Sequence, residues 1–275
     1  MPLLLPTPTG STGDGLSYEN IDVIGNETPG GTGVWVTLLG RGGAGGRGHG
    51  SSDRAGGGGG GGGGAKVGRV FIPMAFLGPT WSVTRGTGSG SAGNTVFASG
   101  SIVLTAGGGA AGQSPAFNNQ LGSGGPGGIA SASGISIPDY LFNGTAGAQG
   151  AALDAIDNLN GAGPGGGGGC YTDQDDGRLR LLGGDGGNSV VALGGLGANQ
   201  STANPGQNAG PGEAGGGGAG GGGSTSASGT LGTAIRPGGP GGRYGAGGGG
   251  GAARTINPGS VGGLGGDAYS LVEWV

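Results

Sequence analysis

The apolar side chains of this chain are concentrated in a few short segments. Thr32–Leu39 and Lys66–Leu77 are rich in Val, Ile, Trp and Phe, and Thr80–Arg85, Ser101–Thr105 and Ala268–Val275 repeat the pattern. Gly and Pro bound most of these segments. Because β-branched and aromatic residues between such breakers are typical of strands, the sequence predicts a small sheet or sandwich.

Between these segments the chain consists largely of glycine with a period of three. Larger residues recur at every third position in Gly183–Asn188 and at Pro237, Pro240 and Arg243. A left-handed extended helix has three residues per turn and no internal hydrogen bonds. Its N–H and C=O groups must therefore bond to neighbouring helices once water is excluded. The pattern predicts packed polyglycine II helices, with the all-glycine run Gly56–Gly64 suited to an inner helix.

The predicted fold class is mostly β or irregular: short β-strands that frame a bundle of packed polyglycine II helices, with almost no α-helix. Residues 1–28 are interpreted as an N-terminal attachment segment, and a frayed terminus is an equal alternative. Residues 29–275 are predicted to form one glycine-rich domain. We expect structural roles for four residues: Trp35, Gly60, Trp81 and Trp274.

Composition narrows the class of protein. Glycine supplies 86 of 275 residues, which is typical of collagen, of disordered chains or of rarer glycine architectures. Collagen requires Gly at every third position without interruption, and this register is broken. Disorder is disfavoured because strand-like apolar segments are present and because only 11 basic and 15 acidic residues occur. The net charge of −4 argues against a nucleic-acid partner, which would require a clustered basic surface.

The search for catalytic or cofactor chemistry gives no convincing site. His49 lies near Ser51, Ser52 and Asp53, but these residues share one Gly-Ser stretch without the scaffold that orients a nucleophile. The single cysteine, Cys170, excludes an internal disulfide and a cysteine-based zinc cluster. We expect no enzyme activity, no cofactor and no metal. No apolar run is long enough to cross a membrane, so no membrane insertion is expected either.

Longer interruptions between the glycine tracts are interpreted as binding loops. They are Gln113–Leu121, Ile135–Phe142 and Cys170–Leu182. Aromatic side chains beside amides and acids suit sugar rings or a protein receptor, and loops on a rigid scaffold commonly carry binding sites. Packing within the loop itself is an equally weighted alternative. The candidate receptor-contact residues are Phe117, Asn118, Tyr140, Phe142, Tyr171, Asp173 and Arg178.

The order of the motifs resembles that of a known family. Thr28-Pro29-Gly30 precedes the strand, and the later motifs are Gly40–Gly46, Gly78–Thr84, Gly93–Ser99, Ala106–Gly109 and the closing Gly262–Trp274. This pattern resembles the glycine-rich domain of phage tail fibre and minor tail proteins. Similar repeats occur in the distal adhesins of T-even-like phages, where polyglycine II helices form a sandwich whose loops contact the receptor.

The resemblance implies a virion structural protein of a phage tail tip or tail fibre, made in the host cytoplasm. Its implied partners are other phage tail proteins, further copies of itself as a homo-oligomer, and a glycan or protein receptor on the host surface. Two other classes stay open. An antifreeze-type ice binder would need a flat face of small or Thr residues, and a secreted glycine-repeat surface protein would need a helical leader domain.

Overall fold

The computed structural model describes most of the chain. The described residues are 15–50, 56–116, 120–151, 153–169, 171–173, 178–180, 182–198, 203–221, 236–253 and 259–275. Within them the protein is mostly β and contains almost no helix, apart from single 3₁₀ turns, as the sequence predicted. None of the described helical segments has the length and apolar character required to cross a membrane.

Twelve short strands are present in the described part of the chain. They are β1 Ser17–Glu19, β2 Val23–Glu27, β3 Gly33–Leu39, β4 Lys66–Pro73, β5 Trp81–Thr84, β6 Thr95–Ser99, β7 Ile102–Ala106, β8 Ala130–Ser133, β9 Leu141–Phe142, β10 Tyr171–Asp173, β11 Arg178–Arg180 and β12 Tyr269–Trp274. One antiparallel sheet has the order β1-β12-β3-β4-β9, and a second has the order β2-β5-β6-β7-β8. The strands β10 and β11 pair separately.

The two large sheets enclose the hydrophobic core. Strand β3 contributes Val34, Val36 and Leu38, which alternate along the strand because successive side chains point to opposite faces. Strands β5 and β6 supply Trp81 and Phe97 from the second sheet. Since β3 and β4 contact β6, β7 and β8 across the core, the two sheets pack face to face as a small sandwich.

The segment before residue 29 takes part in this sandwich. Strand β1 pairs with β12, and β2 pairs with β5. The side chains of Tyr18 and Val23 lie in the core. An attachment role for residues 1–28 stays a prediction, and the described part of that segment also contributes a strand to each sheet.

The three tryptophans occupy different environments. Trp81 and Trp274 are fully buried, with ring centroids 5.3 Å apart. Their indole N–H groups have no hydrogen-bond acceptor in the described structure, so these rings contribute through packing. Trp35 lies on the other face of β3, half-buried, with its ring centroid 5.1 Å from that of Phe71 and the Arg69 guanidinium 4.3 Å from its own centroid.

The glycine tracts pack beside the sandwich through a hydrogen-bond pattern that repeats every third residue. The tract 40–49 leaves β3, and 56–65 returns to β4. Between these antiparallel tracts, Gly43 N–H donates to the Gly62 carbonyl at 2.8 Å and Gly46 N–H to the Gly59 carbonyl at 2.7 Å. Each step of three residues along one tract matches a step of three along the other. A three-residue repeat is the one expected of a polyglycine II helix, and the assignment of the tracts to that helix stays a prediction.

The tract 56–65 is surrounded on all sides by other tracts. Its N–H groups donate to three neighbours and its C=O groups accept from three others, every third residue in each case. The six neighbours are 40–49, 107–113, 122–128, 145–148, 163–169 and 245–251. From Gly58 to Ala65 every backbone N–H and C=O group forms a hydrogen bond to a neighbouring tract or segment, so this buried backbone is satisfied without side chains.

This environment leaves no room for a side chain. A Cβ atom on Gly59 would lie 2.1 Å from the Ser123 carbonyl oxygen, and one on Gly60 would lie 1.9 Å from that of Gly166. A Cβ on Gly61 would lie 2.0 Å from the carbonyl oxygen of Gly43. Three successive positions therefore meet three different neighbours, which explains why the run contains only glycine.

We predict that alanine substitution affects the free energy of unfolding differently at two glycines, Gly60 and Gly210. Gly60→Ala should lower the free energy of unfolding by about 3 kcal/mol or more, from overpacking and lost hydrogen bonds. Gly210→Ala is the matched control, because a Cβ there meets nothing within 4 Å and the φ angle lies outside the positive range. It should be neutral or stabilise by up to about 1 kcal/mol. Thermal and denaturant melts measure both, and equal melting of the two variants would contradict the packing around Gly60.

We predict that alanine substitution of the two tryptophans of the first sheet, Trp35 and Trp274, lowers the free energy of unfolding by different amounts. Trp274→Ala should lower the free energy of unfolding by about 3–5 kcal/mol, because it empties a packed core site. Trp35→Ala should cost only about 1–2 kcal/mol, since its ring is half exposed and loses mainly the Phe71 and Arg69 contacts. Urea titration measures both changes. A Trp35→Ala cost equal to that of Trp274→Ala would show that the outer face of β3 is covered.

Candidate functional site

Several connections between glycine tracts lie at the end of the bundle farthest from the sheets. The tract 40–49 runs away from β3 and 56–65 runs back to β4, so the connection between them lies at this far end. Gly122 N–H donates to the Gly57 carbonyl at 3.0 Å, and Gly169 N–H donates to the Gly58 carbonyl at 2.9 Å. Since Gly57 and Gly58 are adjacent, the segments that precede Gly122 and follow Gly169 start side by side.

The predicted contact residues of these two far-end segments are described only in part. Phe117 and Asn118 lie outside the described residues. Tyr171 and Asp173 belong to β10, and Arg178 belongs to β11. The backbone register places Asp173 opposite Arg178. The two segments share one end of the bundle, and receptor contact by their side chains stays a prediction.

The third predicted segment, Ile135–Phe142, lies elsewhere. It connects β8 to β9, and Phe142 pairs with Lys66 at the start of β4. Its expected position as a loop between glycine helices is wrong, because its residues belong to the sandwich. Ile137 is buried in the core at 8% exposure, whereas Tyr140 is 43% exposed. Tyr140 and Phe142 are thus at the sheet end of the molecule and do not share a surface with the far-end segments.

A polar cleft of about 400 Å³ lies where the sheets meet the glycine tracts. Its walls come from the β1–β2 connection, the start of the first tract, the segment after β5, a turn between two late tracts, and the residues before β12. The charged lining residues are Asp22, Arg41, Arg85, Arg243 and Asp267. No sequence motif joins them, so only the folded topology brings them together.

Two of the three arginines in the cleft are held by partners. Arg85 Nε lies 3.4 Å from Asp22 Oδ1, and the Arg85 backbone N–H donates to the same oxygen at 2.9 Å. The guanidinium of Arg41 lies 3.9 Å from Asp267 Oδ1 and also donates to the carbonyl of Thr87. These contacts fix the positions of two guanidinium groups along the wall.

Arg243 differs from the other two arginines. Its backbone N–H donates to Asn208 Oδ1 at 2.9 Å, which fixes the main chain. Its side chain is exposed and forms no hydrogen bond or ion pair with any residue that the structure describes. The five N–H donors of its guanidinium are therefore free to bind a ligand.

The neighbouring Tyr244 forms an aromatic wall of the cleft. Its ring centroid lies 4.9 Å from that of Tyr269, with an interplanar angle of 53°. Tyr269 is buried beside Leu39 and Ala214. Burial raises the pKa of Tyr269, and the negative charge of Glu19 acts in the same direction, so this phenol stays neutral and uncharged. The buried tyrosine holds Tyr244 in place.

The remaining chemical candidates are His49 and its sequence neighbours. The His49 backbone N–H donates to the Gly56 carbonyl at 2.8 Å, whereas Ser51, Ser52 and Asp53 lie outside the described residues. Among the residues with described positions, no group of three or more His, Cys, Asp or Glu side chains could hold a metal ion. The chain matches no protein-family model, and no curated protein matches it.

We predict that two residues of the segment Ile135–Phe142 differ in their effect on stability. Ile137→Ala should lower the free energy of unfolding by about 2–5 kcal/mol, because it removes buried methyl groups and leaves a cavity. Tyr140→Ala should change it by less than about 0.5 kcal/mol, as for most exposed positions. Denaturant titration of the two variants measures this. Equal stability of both would show that the segment does not belong to the core.

Proposed function

We propose that this chain is a structural protein of a phage tail, positioned at the tail tip or on a tail fibre, and that its far-end loops contact the host surface. The observation that carries the proposal is the tract 56–65 with its six hydrogen-bonded neighbours. Such a scaffold is held by backbone groups. Its stability therefore depends little on the side chains of the connections, which are free to carry recognition.

The two-ended shape of the molecule supports this role. At one end, the sandwich encloses a conventional hydrophobic core that contains Trp81 and Trp274. At the other end, several connections between tracts lie together, among them the segments before Gly122 and after Gly169. A rigid scaffold with a cluster of connections at one end suits a tail component that keeps its overall structure while the sequence of its tip varies.

The side chains exposed on the outer surface of the tracts favour a protein partner over ice. Leu153, Ile156 and Leu159 are exposed at three-residue spacing, and Leu193 and Leu196 repeat the pattern. An ice-binding face would be flat and built from small or Thr side chains. Exposed aliphatic rows instead are typical of protein contact surfaces, so we propose further copies of the chain and other tail proteins as its partners. The proposal involves no catalysis and no cofactor.

The first test of the proposal is location. Virions purified from a lysate in which the gene is expressed should contain the chain, and antibodies against it should label the tail in electron micrographs. Cross-linking of the same virions should join the Leu153 to Leu159 surface to a second copy or to another tail protein. Recovery of the chain only in the cell envelope or the soluble fraction would contradict the proposal.

We predict that exchanging the far-end segments Gln113–Leu121 and Cys170–Leu182 changes host adsorption. The rate of adsorption should fall by about tenfold or more, equivalent to a rise of about 1.4 kcal/mol in the free-energy barrier, while virions still assemble. Tyr140→Ala at the sheet end is the control and should adsorb normally. Unchanged host range after both exchanges would leave the chain as a tail structural part without a receptor role.

A further inference from the structure

The polar cleft beside the sandwich has a charge unlike that of the rest of the chain. The protein carries a net charge of −4. The cleft is lined by three arginines and two aspartates, so its own net charge is 3 − 2 = +1. The surplus charge is that of Arg243, because Arg41 is paired with Asp267 and Arg85 with Asp22. A single positive charge is therefore presented to a ligand within a partly enclosed space.

The guanidinium group determines which anion fits best. Its planar fork of N–H donors matches the two oxygens of a carboxylate through parallel hydrogen bonds. Arg41 and Arg85 already bind carboxylates of the chain itself. Arg243 is the third guanidinium in the same cleft, and it lacks the carboxylate that the other two possess.

Hydrogen-bond acceptors flank this position. The side chains of Asp22 and Asp267 remain 50% and 65% exposed despite their ion pairs, so each has oxygen lone pairs available. Asn20 also lines the cleft, and its Oδ1 accepts a hydrogen bond from the Ser270 backbone N–H at 3.3 Å. Acceptors of this kind suit the hydroxyl groups of a ligand, whereas a ligand made only of anionic groups would be repelled by the two carboxylates.

The size and the aromatic wall complete the description of the ligand. A cleft of about 400 Å³ lies within the range of small-molecule sites, about 300–1,000 Å³. The Tyr244 ring, held against Tyr269, offers an apolar surface beside the charged groups. One carboxylate, several hydroxyls and an apolar ring face occur together in an acidic sugar.

We propose that this cleft binds a carboxylate-bearing sugar, with Arg243 pairing to the carboxylate, Asp22 and Asp267 accepting hydroxyl hydrogen bonds, and Tyr244 lining the sugar ring. The site is separate from the far-end loops, and the proposal holds whether or not the chain belongs to a phage tail. Binding requires no covalent step and no additional cofactor.

Titration calorimetry on the full chain tests the proposal with matched probes. Digalacturonate is the acidic sugar, with one of its two carboxylates expected to pair with Arg243 and the other expected to lie in solvent, and galactobiose is its neutral counterpart of the same size. Inorganic phosphate and the dipeptide Glu-Glu supply anionic groups without the sugar. We expect digalacturonate to bind at least about tenfold more tightly than each of the other three, as charge-assisted and hydroxyl contacts combine.

Variants then assign the binding to this cleft. Arg243→Gln should weaken digalacturonate binding by about tenfold or more with an unchanged melting temperature, because the side chain is exposed and unpaired in the described structure. Arg69→Gln is the control, since Arg69 lies over Trp35 and pairs with Glu273 away from the cleft. It should bind like the parent chain. Absence of digalacturonate binding, equal binding of any other probe, or equal loss in both variants would overturn the proposal.

Discussion

The hydrogen bonds between neighbouring glycine tracts, repeated every third residue, are the constraint on which the structure depends. An extended helix cannot satisfy its own backbone, so each tract is stable only while its neighbours remain at bonding distance. Around 56–65 that distance brings carbonyl oxygens to within about 2 Å of every possible Cβ position at Gly59, Gly60 and Gly61. The composition follows from this geometry. Glycine is required where a neighbouring carbonyl occupies the Cβ position, as at Gly59, Gly60 and Gly61, whereas alanine is accepted at other buried positions of the tracts, such as Ala65 and Ala219.

The sandwich compensates for the conformational entropy that the glycine tracts lose on folding. Glycine loses more conformational entropy on folding than any other residue, and a glycine tract buries no side chain that could compensate. The tracts 40–49 and 56–65 are direct continuations of β3 and β4, which pair through Val34 to Leu39 and are anchored by the core. The paired strands hold the two tracts side by side where they leave the sheet. Each later hydrogen bond between the tracts therefore joins groups that are already close together. Apolar burial in the sheets thus stabilises a bundle whose own buried apolar side chains are mostly alanine.

Several features could be predicted from the sequence because the signal lies in neighbouring residues. Strands β3, β4, β5, β7 and β12 carry runs of Val, Ile, Leu or Trp. All but β7 fall within the predicted segments, and β7 extends one residue beyond its segment, to Ala106. Strand β8, Ala130–Ser133, has only small residues, and β1 and β2 lie in the part of the chain that was interpreted as an attachment segment. The pairing of these three strands depends on partners distant in the chain. The six neighbours of 56–65 could not be predicted, since glycine tracts are interchangeable as sequences. The segment Ile135–Phe142 was misplaced because its aromatic residues look the same in a loop and at the edge of a core.

The two candidate surfaces differ in how they are built, and this decides what each can do. Among the described residues, Gly122 and Gly169 tie the far-end segments to the bundle through the carbonyls of Gly57 and Gly58, so we expect that the length and composition of these segments can change without moving the tracts. The cleft is assembled from connections of the sandwich and of the tracts together, so the distance between Asp22 and Arg243 depends on the register of both. A shift of one tract by one residue would alter the backbone bonding of its neighbours as well as the cleft. We therefore expect variable recognition at the far end and a single, fixed ligand chemistry at the cleft.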